Sequence, residues 1–578
     1  MGYVRDPFQD SDMALVLRRI VATEEARLGK ESGKGAYIEA RKTLLALQPD
    51  PSPQMLGAAE ALRSGHVQEA KGAATDYLEE HSNDPCALTL LAEIACQSGN
   101  KREAEFHLAE CVRSHPNQIV CRYNYSLLLL ELRKLRGARA EAETLLQHAP
   151  LNIIFRTLRA VILVESHSYP DAVACYRELT EECPDSADLW FGFAGVLRSL
   201  GGHGNECIAA LRKAITLCPW SGKYWWSLAS LKTVHFSAND VQLMESQVAS
   251  PAVSYDDRAD LHYALGRGYD DLEDYGKSVS NYAKGNALRR CDMHYDADET
   301  SALASRTSAA FTEEIFRKFD AVGSPSPQPI FVLGLQRAGS TLTEQILDSH
   351  SAIEGLGEPP FVSGIVGYDV VPRTGADYPR GIDTIEPSDL RSMGERYLAM
   401  ALRKKRTAKP FFVDKCPSNV WHLGLILLML PNAKIIDVRR HPMACCYANF
   451  TMSFAHAPPV SYSLSDIGRF YADYVRLTAH FDRVLPGRIF RVFYERLVTN
   501  FEAEVRRILD FLGLPFESSC LEYYRNSRAF NSYSNEQVRS PIFTDSLEHW
   551  RRYEPWLGSL KAALGPVLDA YPGVPDFG

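Results

Sequence analysis

The N-terminal half of the chain carries a repeat that restricts it to a helical architecture. Prolines recur at positions 85, 116, 150, 184 and 219, at intervals of about 34 residues, and each is predicted to close an amphipathic helix. In residues 87–116, one helix breaks at Gly99-Asn100, and a second carries Ala104 where two helices must approach closely. A weaker copy lies at 261–288. Such hairpins bury their apolar stripes against their neighbours, so the spacing predicts an all-α solenoid.

The spacing, the turn and the small residues together resemble the tetratricopeptide repeat family over residues 53–290. The resemblance implies a concave surface that binds a peptide or protein. Residues 1–52 are expected to form a helical segment before the repeats. Aromatic residues of the repeats are expected to be core, because apolar helix faces mostly pack against neighbours. These aromatic residues are Trp190, Phe191, Tyr224, Trp225 and Trp226.

A second domain is predicted to begin at residue 329. Residues 291–328 are interpreted as a helical connector and linker, because the segment Ser324-Pro-Ser-Pro-Gln-Pro329 cannot continue a helix. Downstream, short β-like runs alternate with helical segments, which predicts an α/β domain with a mostly parallel sheet. The β-like runs are residues 330–334, 410–415, 433–438 and 488–494.

The first of these runs opens into a loop that is suited to hold a phosphate group. In the frame Gly334-x4-Gly339-Ser340-Thr341, backbone N–H groups and hydroxyls at the start of a helix can face an anion. A nucleotide P-loop would carry a lysine between Gly339 and Ser340, and this chain does not. Arg337 is the cation within the loop. The loop therefore predicts a phosphate site and argues against a kinase or GTPase.

Polar residues also follow the other β-like runs. Because the carboxyl ends of parallel strands meet at one edge of a sheet, these residues are expected to form one site with the loop. Any one of these polar strand ends, taken alone, would be typical of a solvated turn. The segments are Asp414-Lys415-Cys416-Pro417, Arg439-Arg440-His441-Pro442 and Tyr494-Glu495.

Composition narrows the class of protein. A chain of 578 residues with 46% hydrophobic residues can bury large cores in several domains. We find no signal peptide or uninterrupted apolar span, and a net charge of -9 gives no broad reason to bind nucleic acid. The 13 cysteines are an odd number without CxxC pairs, which argues against a disulfide framework or a zinc site. A reducing cytoplasm is the predicted location.

An ordered set of motifs resembles the sulfotransferases that use 3′-phosphoadenosine 5′-phosphosulfate (PAPS). Within these enzymes, the chain is similar to the tetratricopeptide-containing bacterial type and to the tyrosylprotein sulfotransferases. The resemblance covers about residues 329–555 and implies a P-loop-like sulfotransferase domain over 329–578. The missing lysine fits a donor that has no γ-phosphate and needs no metal ion. The motifs are QRAGSTL, LDSH, Glu358, DKCP, VRRHP, FYERL and SNEQVRSP.

The resemblance implies catalytic roles for two residues. Glu358 would deprotonate the acceptor hydroxyl, and Lys415 would neutralise the bridging oxygen as the sulfuryl group leaves. Without the family pattern, Glu358 would be interpreted as a cap and Lys415 as a surface charge. The residues that would bind the donor are Arg337, Ala338, Gly339, Ser340 and Thr341 at the 5′-phosphosulfate, Arg440 at the 3′-phosphate, and Tyr494 and Ser534 at the nucleotide.

The chain departs from the family pattern at the 3′-phosphate end of the site. The family has a serine eight residues after the 3′-phosphate arginine, and here that position is Ala448. A hydrogen bond to a charged group contributes about 1.5 to 3 kcal/mol, so donor affinity would fall roughly ten- to a hundredfold unless Asn449 or Arg439 compensates. A late lysine of the tyrosylprotein sulfotransferases is matched by His549.

Three functions remain open at this point. The favoured one is PAPS-dependent transfer to a hydroxyl of a peptide or protein that the repeats recruit. Transfer to a carbohydrate or small metabolite would use the same catalytic half, and the segments 359–395 and 455–475 would form the acceptor pocket that distinguishes the two. A repeat scaffold with a weakened nucleotide domain is the third, suggested by Ala448. Neither a nucleic acid nor a membrane span is expected.

Overall fold

The computed structural model describes residues 52–231, 233–291, 293–453, 459–526, 537–542 and 547–577. The expected helical segment at residues 1–52 lies outside the described residues, except for Ser52. The chain divides into two compact units, Met1–Cys218 and Pro219–Gly578. The domain bounds expected from the sequence, at residues 52, 290 and 328, stay predictions.

The described part of the first unit is a series of helices in which consecutive members pack in pairs. The predicted helical repeat is confirmed here. Pro85 is an exception to the prediction that each proline closes a helix, because it begins one, and the Asp84 carboxylate ahead of it accepts from the N–H groups of Cys86 and Ala87. The helices are α1 (Pro53–Arg63), α2 (Val67–Glu80), α3 (Pro85–Gln97), α4 (Lys101–Ser114), α5 (Ile119–Glu131), α6 (Leu135–His148), α7 (Ile153–Glu165), α8 (Tyr169–Glu182), α9 (Ala187–Leu200) and α10 (Gly204–Leu217).

Small residues stand where these helices approach each other most closely. Ala104 is fully buried, as its place in the repeat predicts. A Cβ atom added to Gly192 of α9 would lie 2.6 Å from the buried ring of Tyr176 on α8, whereas one added to Gly195 would meet nothing within 4 Å. The contact between α8 and α9 therefore leaves no room for a side chain at Gly192.

A disulfide joins Cys111 of α4 to Cys121 of α5, and the other eleven cysteines form no disulfide. The sequence argued against a disulfide framework, and it gave no indication of this single pair. Motif counts do not reveal this bond, because it depends on two packed helices that place the sulfur atoms side by side.

The second unit begins with helices that continue the helical pattern. Its aromatic residues Tyr224, Trp225 and Trp226 are buried, as predicted, whereas Trp190 and Phe191 of the first unit are half-buried. The helices are α11 (Gly222–Ala229), α12 (Ala238–Val248), α13 (Tyr255–Asp271), α14 (Tyr275–Arg290), α15 (Ala297–Ala310) and α16 (Glu313–Lys318).

The rest of the second unit is built on a five-stranded parallel sheet in the order β2-β3-β1-β4-β5. The four strands predicted from the sequence are present, and β2 is the one that was missed, because three residues are too few to show a pattern. The strands are β1 (Pro329–Gly334), β2 (Ile353–Gly355), β3 (Phe411–Lys415), β4 (Lys434–Arg439) and β5 (Ile489–Phe493).

Helices surround the sheet, so the central strands β1 and β4 are almost wholly buried. Strand β1 is a continuous apolar run, as expected for a strand that is buried on both faces. None of the described helices is long and apolar enough to cross a membrane. The helices are α17 (Ser340–Asp348), α18 (Phe361–Ile365), α19 (Val371–Thr374), α20 (Pro387–Lys404), α21 (Leu423–Met429), α22 (Pro442–Phe450), α23 (Leu464–Val484), α24 (Tyr494–Thr499), α25 (Phe501–Leu512), α26 (Gly558–Leu564) and α27 (Pro566–Ala570).

The close contact at Gly192 predicts opposite effects for two substitutions in the same helix. Gly192→Ala should lower the free energy of unfolding by about 1 to 3 kcal/mol, because the buried Tyr176 ring must move. Gly195→Ala, the matched control, should raise it by about 0.5 to 1 kcal/mol, because alanine favours a helix. Chemical unfolding of the full-length variants measures both, and equal effects would contradict this packing.

Candidate active site

The sheet brings the predicted loop to its centre. Strand β1 lies between β3 and β4, and Val332 of β1 stands opposite Lys415 on one side and Ile436 on the other. At the end of β1, Gly334 has φ 138°, and a Cβ atom there would lie 2.4 Å from the carbonyl oxygen of Val438. Glycine is therefore required where the chain leaves the sheet and enters the loop.

The loop makes a tight turn that is held from outside. Its N–H at Ala338 donates to the carbonyl of Leu335 at 3.2 Å, and Arg337 adopts the left-handed conformation with φ 67°. For a residue other than glycine this conformation costs about 1 to 2 kcal/mol. The Asn449 side-chain amide donates to the Gln336 carbonyl at 2.7 Å, which stabilises the turn.

Arg440 reaches the same loop from the end of β4. Its guanidinium donates to the Arg337 carbonyl at 3.3 Å and lies 5.0 Å from the centre of the Tyr494 ring. The Tyr494 ring in turn covers Gly339, where an added Cβ atom would lie 2.5 Å from the ring and φ is 105°. The structure therefore brings Arg337, Gly339, Arg440 and Tyr494 together, as their places at the strand ends predict.

The loop leads directly into α17. Ala338 and Ser340 are buried, and Thr341 is half-buried in the first turn of the helix. Residues 338–341 therefore lie beside Arg337 at the start of α17, where backbone N–H groups favour negative charge. Ser534, the remaining predicted donor contact, lies outside the described residues.

The charges around the loop are suited to an anion. Burial and, to a smaller extent, the neighbouring guanidinium of Arg440 lower the pKa of Arg337 to about 10. Two cations held close together in a partly buried loop repel each other, and a bound anion would relieve that repulsion. The residues present thus fit a phosphate or phosphosulfate group.

Glu358 and Lys415 meet on the other side of β1. The chain continues past β2 alongside β3, where the Lys415 N–H donates to the Gly357 carbonyl at 2.9 Å and the Gly357 N–H to the Glu344 carboxylate at 2.8 Å. This pairing places Glu358 beside Lys415, and their side chains form an ion pair. The Glu358 side chain is 34% exposed, whereas that of Lys415 is only 4% exposed.

The ion pair keeps Lys415 charged. Burial by itself would lower the pKa of Lys415, but the carboxylates of Glu358 and Glu344 raise it above its usual value. The site thus combines a buried ammonium with a carboxylate that solvent can reach. Glu344 was not singled out from the sequence, because its contact depends on how α17 lies beside the segment after β2.

Asp414 precedes Lys415 and is completely buried. Its carboxylate accepts from the Tyr397 hydroxyl at 2.9 Å and from the Asn419 amide at 3.1 Å. Burial raises its pKa to about 7 despite these hydrogen bonds. Asp414 therefore supports the end of β3 from within the core.

Three residues considered near the donor site have structural partners. Arg439 is buried and bonds the Asp437 carboxylate at 3.0 Å, so it is not available to replace a serine hydroxyl at position 448. Asn449 holds the loop through its amide nitrogen. His549 lies 3.1 Å from the Asp270 carboxylate on α13. All three contacts are made within the protein.

Other motif residues shape the backbone around the site. The Glu495 carboxylate accepts from the His441 N–H at 2.8 Å and from the Tyr571 hydroxyl at 2.6 Å, which anchors the segment after Arg440. Asp348 accepts from the Gly355 N–H at 2.6 Å and so joins α17 to β2. Within the described residues, no group of three or more His, Cys, Asp or Glu side chains is arranged to hold a metal ion.

Comparison with known proteins assigns the family. The profile of the sulfotransferase family matches residues 329–518. An uncharacterized protein of Aquifex aeolicus (strain VF5) is 30% identical over 516 residues, which cover 86% of this chain and 67% of that protein. The chain belongs to the sulfotransferase family. Its C-terminal half is a sulfotransferase domain, and its N-terminal half is a tetratricopeptide-like solenoid.

More distant similarities cover single halves of this sulfotransferase. A Caenorhabditis briggsae protein named "Putative protein-tyrosine sulfotransferase" is 27% identical over 231 residues, which cover 39% of this chain and 80% of that protein. The sulfotransferase domain of the Synechococcus PCC 7002 olefin synthase covers 40% of this chain and 88% of its own, with 19% identity and a TM-score of 0.29. A thermophilic tetratricopeptide protein of Thermus thermophilus covers 31% of this chain and 98% of its own, with 17% identity and a TM-score of 0.27.

Asp414 predicts how stability depends on pH. Its pKa rises from 3.8 to about 7 on folding, so folding takes up a proton between these values, and stability should fall as pH rises through that interval. Asp414→Asn should flatten this dependence, because the amide does not ionise. Urea unfolding at several pH values measures it, with the exposed Asp510→Asn as a control that keeps the wild-type profile. Equal slopes for wild type and Asp414→Asn would contradict the assignment.

Proposed function

We propose that this sulfotransferase transfers a sulfuryl group from PAPS to a hydroxyl group of a peptide or protein. The observation that carries the proposal is one sheet edge that combines an anion-suited loop with an ion pair. The loop contains Arg337 and is held by Arg440, and the ion pair joins Lys415 to Glu358 across β1. The loop and the ion pair lie on either side of β1. A donor bound at the loop and an acceptor bound at the ion pair could therefore meet at the end of this strand.

The donor side is proposed to use the cations of the loop. Arg337, Ala338, Gly339, Ser340 and Thr341 would hold the 5′-phosphosulfate. PAPS would supply the sulfuryl group, which leaves the bridging oxygen, bonds to the acceptor oxygen and releases adenosine 3′,5′-bisphosphate. The Arg440 guanidinium would bind the 3′-phosphate. The Tyr494 ring, already packed on Gly339 and Arg440, would contact the nucleotide.

The acceptor side is proposed to use the ion pair. The Glu358 carboxylate would take the proton of the acceptor hydroxyl, and its partial exposure gives a substrate access to it. The Lys415 ammonium, kept charged by the neighbouring carboxylates despite its burial, would stabilise negative charge that develops on the leaving oxygen. On this proposal the reaction needs no metal ion.

A peptide or protein acceptor is favoured by two observations. The relatives from Caenorhabditis briggsae and Caenorhabditis elegans carry the name "Putative protein-tyrosine sulfotransferase", and they match 39% and 36% of this chain. The N-terminal solenoid is of a type that binds peptides and proteins on a concave surface. We propose that the repeats recruit the acceptor. The cytoplasm is the proposed location, since eleven cysteines remain thiols.

Two alternatives use the same domain. A carbohydrate or small metabolite would enter beside the segment 359–395, which includes α18 and α19 and carries the 82% exposed Tyr368. A scaffold with a weakened donor site would follow from Ala448, which lies half-buried on α22 and lacks a hydroxyl. A sharp gain in donor affinity for Ala448→Ser would favour the weakened site.

Donor affinity tests the role of Arg440. Arg440→Ala should raise the Kd for adenosine 3′,5′-bisphosphate about ten- to a hundredfold, because a hydrogen-bonded charge is removed. The control is Arg476→Ala, which removes a half-exposed guanidinium on α23 that pairs with Asp473. Calorimetric titration of the full-length proteins measures both. No binding to the wild-type protein, or equal binding to both variants, would contradict the donor assignment.

Transfer of labelled sulfate from PAPS tests Glu358 and the acceptor class. Glu358→Gln should slow transfer at least about a hundredfold and leave the Kd of adenosine 3′,5′-bisphosphate unchanged, because the amide cannot accept the proton. The exposed Glu502→Gln is the control. Peptides that contain tyrosine or serine and simple saccharides are compared as acceptors.

The outcomes separate the alternatives. Transfer to saccharides and to no peptide would replace the proposed acceptor class. Parallel losses of donor binding and of transfer in Glu358→Gln would mean that Glu358 acts by holding Lys415, and not as the base. Absence of transfer to every acceptor, with donor binding intact, would favour the scaffold.

A further inference from the structure

The C-terminal end of α22 is held by helices of the helical region that opens the second unit. The Asn286 side-chain amide on α14 donates to the carbonyl of Phe450, the last residue of α22, at 2.9 Å. The indole N–H of Trp226 on α11 donates to the carbonyl of Ser453 at 3.0 Å. Both donors are separated from their acceptors by more than 160 residues of chain.

Both contacts are buried and supported by further bonds. Asn286 is 1% exposed, and its side-chain oxygen accepts from the Tyr263 hydroxyl at 2.6 Å. The Ser453 hydroxyl donates to Asp260 at 2.8 Å, and Asp260 pairs with Arg289 at 2.7 Å. Buried polar networks of this kind have defined geometry, because each unmade hydrogen bond would leave a desolvated group.

The helix that these contacts hold also shapes the loop of residues 335–339 between β1 and α17, which we call the donor loop. Asn449, one residue before Phe450, donates to the Gln336 carbonyl and so holds the turn in which Arg337 is left-handed. Helix α22 begins two residues after Arg440. A displacement of its C-terminal end would therefore move the Asn449 amide away from the loop.

We propose that Trp226 and Asn286 are positioning residues for the donor loop. They fix the end of α22 so that Asn449 can hold the turn around Arg337. On this view the helices α11, α13 and α14 are part of the catalytic unit as well as part of the repeat pattern, which agrees with their place in the same compact unit. The proposal rests on the proposed function for its donor-binding readout.

A neighbouring residue supplies a matched control. Trp225 is on the same helix and fully buried, and its indole N–H donates to the Pro219 carbonyl at 2.8 Å. Trp225→Phe and Trp226→Phe therefore remove the same chemical group and one hydrogen bond each. Only Trp226→Phe releases the segment that follows α22.

The test uses both full-length variants and two measurements. Amide hydrogen exchange of the unliganded protein is followed in a peptide that covers residues 335–340, and the Kd for adenosine 3′,5′-bisphosphate is measured by calorimetry. Trp226→Phe should speed exchange in the loop and raise the Kd about three- to tenfold, the range of coupling that such contacts carry. Trp225→Phe should leave the Kd at its wild-type value. Its loop exchange should also match the wild type once any change in global stability is taken into account.

Equal effects of the two substitutions on loop exchange would overturn the proposal. The exchange measurement does not require the donor, so a wild-type protein that fails to bind adenosine 3′,5′-bisphosphate would refute the proposed function alone. If Trp226→Phe does not fold, Asn286→Leu is compared with Tyr263→Phe. Asn286→Leu removes both the bond to Phe450 and the bond from Tyr263, whereas Tyr263→Phe removes only the second of these. Faster loop exchange in Asn286→Leu alone supports the proposal, and equal exchange overturns it.

Discussion

The geometry of the donor loop depends on hydrogen bonds to two successive backbone carbonyls. Asn449 donates to Gln336 and Arg440 to Arg337, and together they hold a turn whose left-handed residue would cost about 1 to 2 kcal/mol. Both donors belong to the segment formed by the end of β4 and by α22. The conformation of the loop is therefore set largely by the segment beside it, through hydrogen bonds made within the protein.

The opposite side of β1 provides the second half of the site by a different mechanism. Strand pairing continues beyond β2, which has only three residues, and this continuation brings Glu358 beside Lys415. The neighbouring carboxylates keep the buried lysine charged, while the side chain of Glu358 stays open to solvent. A central strand with cations on one side and an ion pair on the other thus creates two chemically distinct halves at one edge of the sheet.

Local sequence predicted most of this organisation. Four strands, the glycine loop and the polar strand ends follow from patterns that span a few residues, and the helical repeat follows from its period. Contacts across long stretches of chain could not be predicted in this way. The Asn449 amide meets a carbonyl 113 residues away, and neighbouring arginines diverge, since Arg439 turns into the core toward Asp437 while Arg440 meets the loop. The Cys111–Cys121 disulfide likewise depends on the packing of α4 against α5.

The sequence by itself determined the elements and the chemistry available at their ends, because helix period, strand length and glycine placement are local properties of the chain. Only the tertiary structure decided which polar groups serve the candidate site and which serve the core. That choice depends on burial. Of the adjacent residues Arg439 and Arg440, the first is buried and pairs with Asp437, whereas the second meets the loop at the sheet edge. It also decided that the helices after Pro219 lie in the same compact unit as the sheet, because side-chain bonds from α11 and α14 to the end of α22 appear only once the chain has folded.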